Sequence, residues 1–142
     1  MAEIFGTSHL FRLAIGPLLF GNFSTCDGLA CEVEMEERFE GGSNVPTRFP
    51  KRITYSNITL TRALGKDSVI TSMWLESQML LPIPLPGEIV ALNPAGKPLV
   101  RWRLHGVVPV RWQGPSFSAG DSRAAMETLE IAHDGFFALP LL

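Results

Sequence analysis

Residues 31–55 read CEVEMEERFEGGSNVPTRFPKRITY, and this stretch decides the type of fold. Its first part alternates between apolar and acidic residues, which is the period-2 pattern of a strand with one solvated face. Val33 and Met35 share the apolar face. The opposite face carries the acidic side chains Glu32, Glu34 and Glu36.

A turn and a basic return strand follow this acidic strand. Residues 40–46 are rich in turn formers, and the tip of the turn contains Gly41, Gly42 and Asn44. The return strand carries the basic side chains Arg48, Lys51 and Arg52. We therefore predict a two-stranded hairpin arm at about residues 32–52, held by cross-strand ion pairs worth roughly 0.2–1 kcal/mol each.

The rest of the chain also reads mainly as strands. Period-2 alternation predicts strands over 10–15, 20–24, 53–61, 88–92, 99–105, 107–112 and 123–133. A register break at Ser56-Asn57 suits a bulge in the strand over 53–61.

One helix is expected. It would begin after Asp67 as N-cap and end by Leu81, because prolines follow at 82, 84 and 86. Its apolar stripe would be Val69, Ile70, Met73, Trp74 and Ser77. The predicted fold is mainly β: an antiparallel β-barrel or β-sandwich with one covering α-helix.

Length and composition limit the function classes. The chain has 142 residues, which fits a single domain over 1–142, and it is 46% apolar but only 18% charged. Its 12 basic and 14 acidic residues argue against nucleic-acid binding by bulk charge. No transmembrane run or secretory signal is readable, so no stable membrane insertion is expected. The apolar surplus indicates self-association.

The surplus has two candidate locations. The proline-rich run over 79–86 offers Leu81, Ile83 and Leu85, and the apolar end of the chain offers Phe136, Phe137 and Leu139. We expect these side chains to lie at subunit interfaces. The tryptophans Trp74, Trp102 and Trp112 are expected in the core, because each alternates with polar neighbours or lies on the helix stripe.

Catalytic and metal sites are weakly indicated. His133 after a strand, with Ser116, Ser118 and Ser122 upstream, is a poor hydrolase candidate, since no Gly-X-Ser-X-Gly elbow occurs. Cys26 and Cys31 are expected as free thiols rather than a disulfide, and three isolated histidines make zinc improbable. No cofactor is expected. A carbohydrate-binding β-sandwich stays an alternative on the strength of its tryptophans.

Five segments in series resemble the phage tail tube protein family. They are Cys26-Asp27-Gly28-Leu29 with Glu32-Val33-Glu34, the tip over 40–44, and the segments over 48–62, 112–115 and 127–135. Their order and spacing cover the chain from about Phe11 to Gly135. The family includes inner-tube subunits of contractile phage tails and contractile injection systems, and it is similar to the type VI secretion tube protein.

The resemblance implies a structural protein and not an enzyme. Six subunits would form a ring, and rings would stack into a hollow tube that a contracting sheath drives through a target envelope. The arm would reach the adjacent ring. The implied partners are further copies of the chain, a sheath protein, baseplate and terminator proteins, with protein cargo or DNA as candidate contents of the lumen.

The resemblance also implies a location. The protein would assemble in the bacterial cytoplasm and belong to a phage virion or to an injection particle that can leave the cell. The sequence departs from the family in a short N-terminal segment and in the apolar run over 79–86. A baseplate-proximal, tube-initiating paralogue is therefore the alternative to a bulk tube subunit.

Overall fold

A computed structural model describes residues 9–115, 120 and 125–137. The described part is mainly β with one helix, as the sequence predicts. The elements in chain order are β1 (Leu10–Ile15), β2 (Leu18–Phe23), β3 (Thr25–Asp27), β4 (Cys31–Arg38), β5 (Thr47–Tyr55), β6 (Ile58–Ala63), α1 (Ser68–Leu80), β7 (Leu85–Leu92), β8 (Pro98–Gln113) and β9 (Met126–Ala132).

Seven strands form one antiparallel sheet in the order β2-β1-β7-β8-β9-β6-β3. The sheet curls, because its two outer strands, β2 and β3, are consecutive in the chain and are joined by Ser24 alone. The backbone amide and the hydroxyl of Ser24 both donate to the carbonyl oxygen of Thr61, each at 2.9 Å. The two sides of the sheet therefore enclose one core.

The core fills the space between the curled sheet and α1. Trp74 of the helix meets Phe20 of β2 edge to face, with ring centroids 5.5 Å apart. Alternate residues of the strands supply the rest of the core, as a period of two requires. The buried core cluster comprises Leu13, Ile15, Phe20, Phe23, Ile58, Leu60, Trp74, Ile89, Leu104, Val107, Leu129 and Ile131.

The predicted apolar stripe of the helix is right for Trp74 and Ile70, which contact the core, and wrong for Val69 and Met73. The buried residues of α1 are Thr71, Trp74 and Gln78, whereas Val69 is 59% and Met73 is 53% exposed. Asp67 is the N-cap residue as predicted, but its side chain makes no capping hydrogen bond. The helix is rotated because Thr71 hydrogen-bonds a buried side chain of the sheet, described below, so two polar residues face inward.

The strands expected over 99–105 and 107–112 are one strand of 16 residues. Gly106 has φ +60, and β8 changes partner there: it pairs with β7 up to Val107 and with β9 from Val108. The glycine bends the strand without ending it, because it lacks the Cβ that makes this conformation costly.

The break at Ser56-Asn57 is not a bulge within one strand. Tyr55 ends β5, whose one partner among the described strands is β4, and Ile58 begins β6, which belongs to the seven-stranded sheet. These two residues are the point at which the chain passes from the arm to the body of the protein. The amide of Ser56 donates to the carbonyl oxygen of Ala30 at 3.2 Å, so both strands of the arm are tied together at its base.

We predict that Gly28→Ala destabilises the fold by about 2–4 kcal/mol. Gly28 has φ +102, and a Cβ there would collide with the backbone carbonyl of Asn57. Gly41→Ala at the tip of the arm is the matched control, because its φ is not positive and no atom lies within 4 Å of the added Cβ. Urea denaturation of both variants measures the effect. A Gly28→Ala protein as stable as Gly41→Ala would contradict this account of the arm's base.

Candidate assembly surfaces

The arm is the antiparallel pair β4 and β5, and ion pairs link its strands. Glu34 Oε2 accepts from Arg52 Nε at 2.6 Å, and Glu34 Oε1 lies 3.9 Å from Lys51 Nζ. Arg48 Nε lies 3.2 Å from Glu37 Oε1. These side chains are all more than 40% exposed, so each pair contributes at most about 1 kcal/mol. Their main effect is to fix the register of the hairpin.

Other residues predicted for the arm lie on its surface. Glu36 pairs with Arg38 of its own strand at 3.4 Å and not with the return strand. Glu32 is exposed opposite Thr54. The tip residues Gly41, Gly42 and Asn44 are exposed too.

The second face of the arm is apolar and open to solvent. Val33 lies opposite Ile53 across the two strands, and these side chains are 44% and 48% exposed. Met35 adds further apolar surface to this face and is 55% exposed, whereas Phe49 lies opposite Glu36 on the other face and is 40% exposed. An isolated two-stranded hairpin is at best marginally stable in water. Contact of this face with another surface would therefore stabilise the arm.

Arg62 of β6 is buried at 5% exposure, and its guanidinium ties the sheet to the helix. Nη2 donates to Thr71 Oγ1 at 3.0 Å and to the carbonyl of Asp67 at 3.1 Å, while Nη1 donates to the carbonyl of Phe20. The guanidinium carbon lies 4.1 Å from the centre of the Phe23 ring, a cation–π contact. One side chain thus links β2, β6 and the first turns of α1.

Glu127 of β9 lies directly opposite Arg62 and is fully buried. Its Oε2 accepts from Arg62 Nε at 2.9 Å and from the hydroxyl of Ser68, and its Oε1 accepts from Trp112 Nε1 at 3.0 Å. Burial alone would raise the pKa of Glu127. The hydrogen bonds from Ser68, Trp112 and Arg62, together with the charge of Arg62, outweigh it and hold this pKa below its usual value.

The C-terminal end of the helix is an exposed apolar surface. Met79, Leu80 and Leu81 are 85%, 87% and 64% exposed, and Ile83 is 47% exposed. Of the interface candidates in this run, Leu85 differs, because it is half-buried and packs against the core. An exposed run of this kind on a folded domain usually marks an interaction site.

The aromatic residues after β9 form a second cluster at the surface. Phe136 packs on Tyr55 with ring centroids 5.0 Å apart and also touches the core. Phe137 lies 4.7 Å from Phe136 and is 60% exposed. Leu139 lies outside the described residues.

The three tryptophans differ in how deeply they are buried. Trp74 is 1% exposed, and Trp102 is half-buried against the core. The prediction that Trp112 lies in the core was wrong, because its side chain is 42% exposed. Trp112 stands near the end of β8, where its indole reaches Glu127 but no described element covers its outer face.

His133 makes two hydrogen bonds. Its Nε2 lies 3.0 Å from the carbonyl oxygen of Ser56, and its Nδ1 accepts from the amide of Gly135 at 3.1 Å. Both ring nitrogens are therefore engaged in hydrogen bonds to backbone groups. The serines proposed with it, Ser116, Ser118 and Ser122, lie outside the described residues.

Cys26 and Cys31 are free thiols, and burial, followed by the charge of Asp27, raises the pKa of Cys26 to about 12. The described residues contain no group of three or more side chains that could hold a metal ion. No helix in the described ranges is long and apolar enough to cross a bilayer.

The sequence analysis did not identify Arg62 and Glu127 as a buried ion pair, although the strand pattern contained a signal for it. Arg62 continues the inward register of Ile58 and Leu60, and Glu127 shares that of Leu129 and Ile131. A basic and an acidic residue at inward positions of two strands indicate a buried pair, since an unpaired buried charge is very costly. The same reasoning missed the inward position of Gln78, because polar helix residues are ordinarily exposed.

Comparison with known proteins gives one family and a group of related folds. The model of a family described as T4-like virus tail tube protein gp19 matches residues 7–137. A search of curated proteins finds no match.

The fold resembles several solved structures. A chain of the sheath/tube terminator of an extracellular contractile injection system, PVC, aligns at a TM-score of 0.74 and 22% identity, covering 95% of each chain. A chain of the anti-feeding prophage baseplate aligns at 0.70 and 22% identity, covering 95% of this chain and 94% of that one. A type six secretion system protein aligns at 0.60 and 12% identity, covering 89% and 80%. These similarities show a shared fold.

We predict that Glu127→Gln lowers the free energy of unfolding by about 3–5 kcal/mol at pH 7, because it leaves the Arg62 charge buried without a counterion. The double replacement Arg62→Met with Glu127→Leu should lower the free energy of unfolding by less, because it leaves no buried charge unpaired. Chemical denaturation measures both variants. Equal stability of Glu127→Gln and the wild type would contradict the assigned role of the pair.

We also predict that the stability of the fold depends on pH, because the pKa of Glu127 is lowered in the folded protein. Its contribution to stability is present above the unfolded carboxyl pKa of about 4.3 and is lost as pH falls through the lower folded value. Denaturation of the wild type at several values between pH 7 and pH 3 should show this loss. The Glu127→Gln variant should lack that part of the slope, and an identical slope in both proteins would contradict the assignment.

Proposed function

Because the chain belongs to the T4-like virus tail tube protein family, we propose that it forms hexameric rings that stack into the hollow inner tube of a contractile particle. The chain is a structural component of a phage tail or injection system. The family match over residues 7–137 is the observation that carries this proposal. Sheath contraction would push the assembled tube through a target envelope.

The exposed surfaces support an assembling subunit. The apolar face of the arm, the end of α1 and Phe137 are all open in the single chain. Contacts between copies would remove this surface from water at roughly 25 cal/mol per Å². We further propose that the role is mechanical and not catalytic.

The proposed partners follow from the same family role. Solved structures with this fold come from a sheath–tube complex, a baseplate and a terminator. We propose that this chain contacts a sheath protein along the tube and baseplate and terminator proteins at its ends, with protein cargo or DNA in the lumen. Assembly in the bacterial cytoplasm, before any release of the particle, belongs to the same proposal.

A tube-initiating layer next to the baseplate is the second candidate. The exposed run Met79–Ile83 favours it, because so apolar a surface calls for a dedicated binding partner, which a baseplate protein would supply. The carbohydrate-binding alternative has less support. Trp102 and Trp112 lie ten residues apart on one strand and do not form a common platform.

We predict that the purified protein forms rings of about six times its 15.6 kDa mass and tubes of stacked rings at high concentration. Mass photometry measures the rings, and negative-stain electron microscopy shows the tubes. A protein that stays monomeric at high concentration, with or without a sheath or baseplate protein from the same source, would refute the proposed function.

A second prediction concerns the arm, which we propose reaches the adjacent ring. Glu34→Lys with Glu36→Lys should stop stacking while single rings still form, because Arg52 and Lys51 would then face like charges. Electron microscopy counts tubes against rings, and circular dichroism checks the fold.

A charge-swapped control distinguishes repulsion inside the arm from the loss of a contact with the adjacent ring. Glu34→Lys with Arg52→Glu restores an ion pair inside the arm. If Glu34 also meets a neighbouring ring, this variant should still stack poorly. Normal tube yield for the double-lysine protein would exclude the arm's acidic face from ring contacts.

A further inference from the structure

An apolar groove of about 380 Å³ separates the C-terminal half of α1 from the second half of β8. Leu75, Met79 and Pro82 line one wall, and Val110 and Trp112 line the other. Val110 is 51% and Trp112 is 42% exposed. The groove is thus an open cleft with apolar walls on both sides.

A buried acceptor without a partner also lines the groove. Gln78 is only 7% exposed, and its Nε2 donates to the carbonyl of Ile83 at 2.9 Å. Its Oε1 is buried and has no hydrogen-bond partner in the described part of the protein. A buried acceptor left unpaired costs about 1–3 kcal/mol, so a turn of the Gln78 side chain that exposes this oxygen to a donor of a bound segment would be favourable.

The β8 wall of the groove offers further hydrogen bonds. β7 pairs with β8 only as far as Val107, and beyond that point β9 pairs with one edge of β8. No described strand pairs with the other edge over residues 108–113. A free strand edge beside an apolar cleft is the setting in which an extended segment adds by main-chain hydrogen bonds.

We propose that this groove receives residues 138–142 of a second copy of the chain. The segment reads ALPLL, contains no polar side chain, and follows Phe137, which is itself 60% exposed. Its apolar side chains match the walls, and its backbone N–H groups, other than at Pro140, and its carbonyl groups can pair with the free edge of β8. The proposal rests on the proposed function, because it requires copies to associate.

The path of the chain favours a second copy over the same one. After β9 the chain runs antiparallel to β8 past His105, whose amide donates to the carbonyl of Gly135 at 3.0 Å. The groove begins at Val108, further along β8 in the opposite direction. The groove therefore lies behind the direction in which the described chain leaves β9, which favours a segment supplied by a second copy.

Disulfide cross-linking tests the contact directly. In a background without Cys26 and Cys31, both changed to alanine, one protein carries Val110→Cys and a second carries Leu141→Cys. Oxidation of the mixture should join the two different chains. Leu19→Cys, an equally exposed apolar residue of a strand outside the groove, replaces Val110→Cys as the control and should not cross-link.

Two variants give independent readouts. Deleting residues 138–142 should raise the concentration of half-assembly at least tenfold and abolish the blue shift of Trp112 fluorescence that we expect on assembly. Gln78→Met removes the unpaired acceptor together with the hydrogen bond to Ile83, and half-assembly should need about fivefold more protein.

The outcomes separate this proposal from the proposed function. Rings that form without the cross-link or the Trp112 shift would overturn the groove contact and leave the tube role standing. A link that forms only when both cysteines are on one chain, at a rate independent of concentration, would assign the segment to its own groove and also overturn it. A wild type that never associates would overturn both.

Discussion

The ion pair between Arg62 and Glu127 is the interaction on which the rest of the structure depends. Both side chains are inside the protein, and together they engage β2, β6, β8, β9 and α1. A buried pair of charges is not a strong source of stability in itself, because the cost of desolvation offsets the attraction. The pair instead fixes geometry. Arg62 and Glu127 find all their hydrogen-bond partners only when the helix has one rotation about its axis and one position along the sheet.

This constraint explains why the helix has polar residues on its inner face and apolar residues on its outer face. Thr71 faces inward because it must meet Arg62, and Gln78 follows on the same side two turns later. Val69 and Met73 are consequently turned to solvent. In the proposed tube these exposed apolar side chains would be surface for a neighbouring copy.

The sequence was sufficient for most of the strands, the helix and the arm, because period-2 alternation and glycine or proline turns are local signals. Its failures have non-local causes. The helix stripe was wrong at Val69 and Met73 because one buried arginine on another element selects the inward face. Trp112 was wrongly placed in the core because the alternation of a strand does not show which of its residues another element covers. The single long β8 was missed because Gly106 reads as a breaker, although pairing with β7 and then β9 carries the strand through it.

Trp112 connects the interior of the protein to its open surface. Its Nε1 donates to Glu127, so the buried network fixes the position of the ring, while the ring itself forms part of the groove wall. The opposite wall belongs to α1, whose placement the same network sets through Ser68 and Thr71. The groove is therefore held in shape before anything enters it, and a rigid site loses little conformational freedom on binding. The proposed role of transmitting force along a tube calls for contacts of this kind, because a surface that reorders on binding would yield under load.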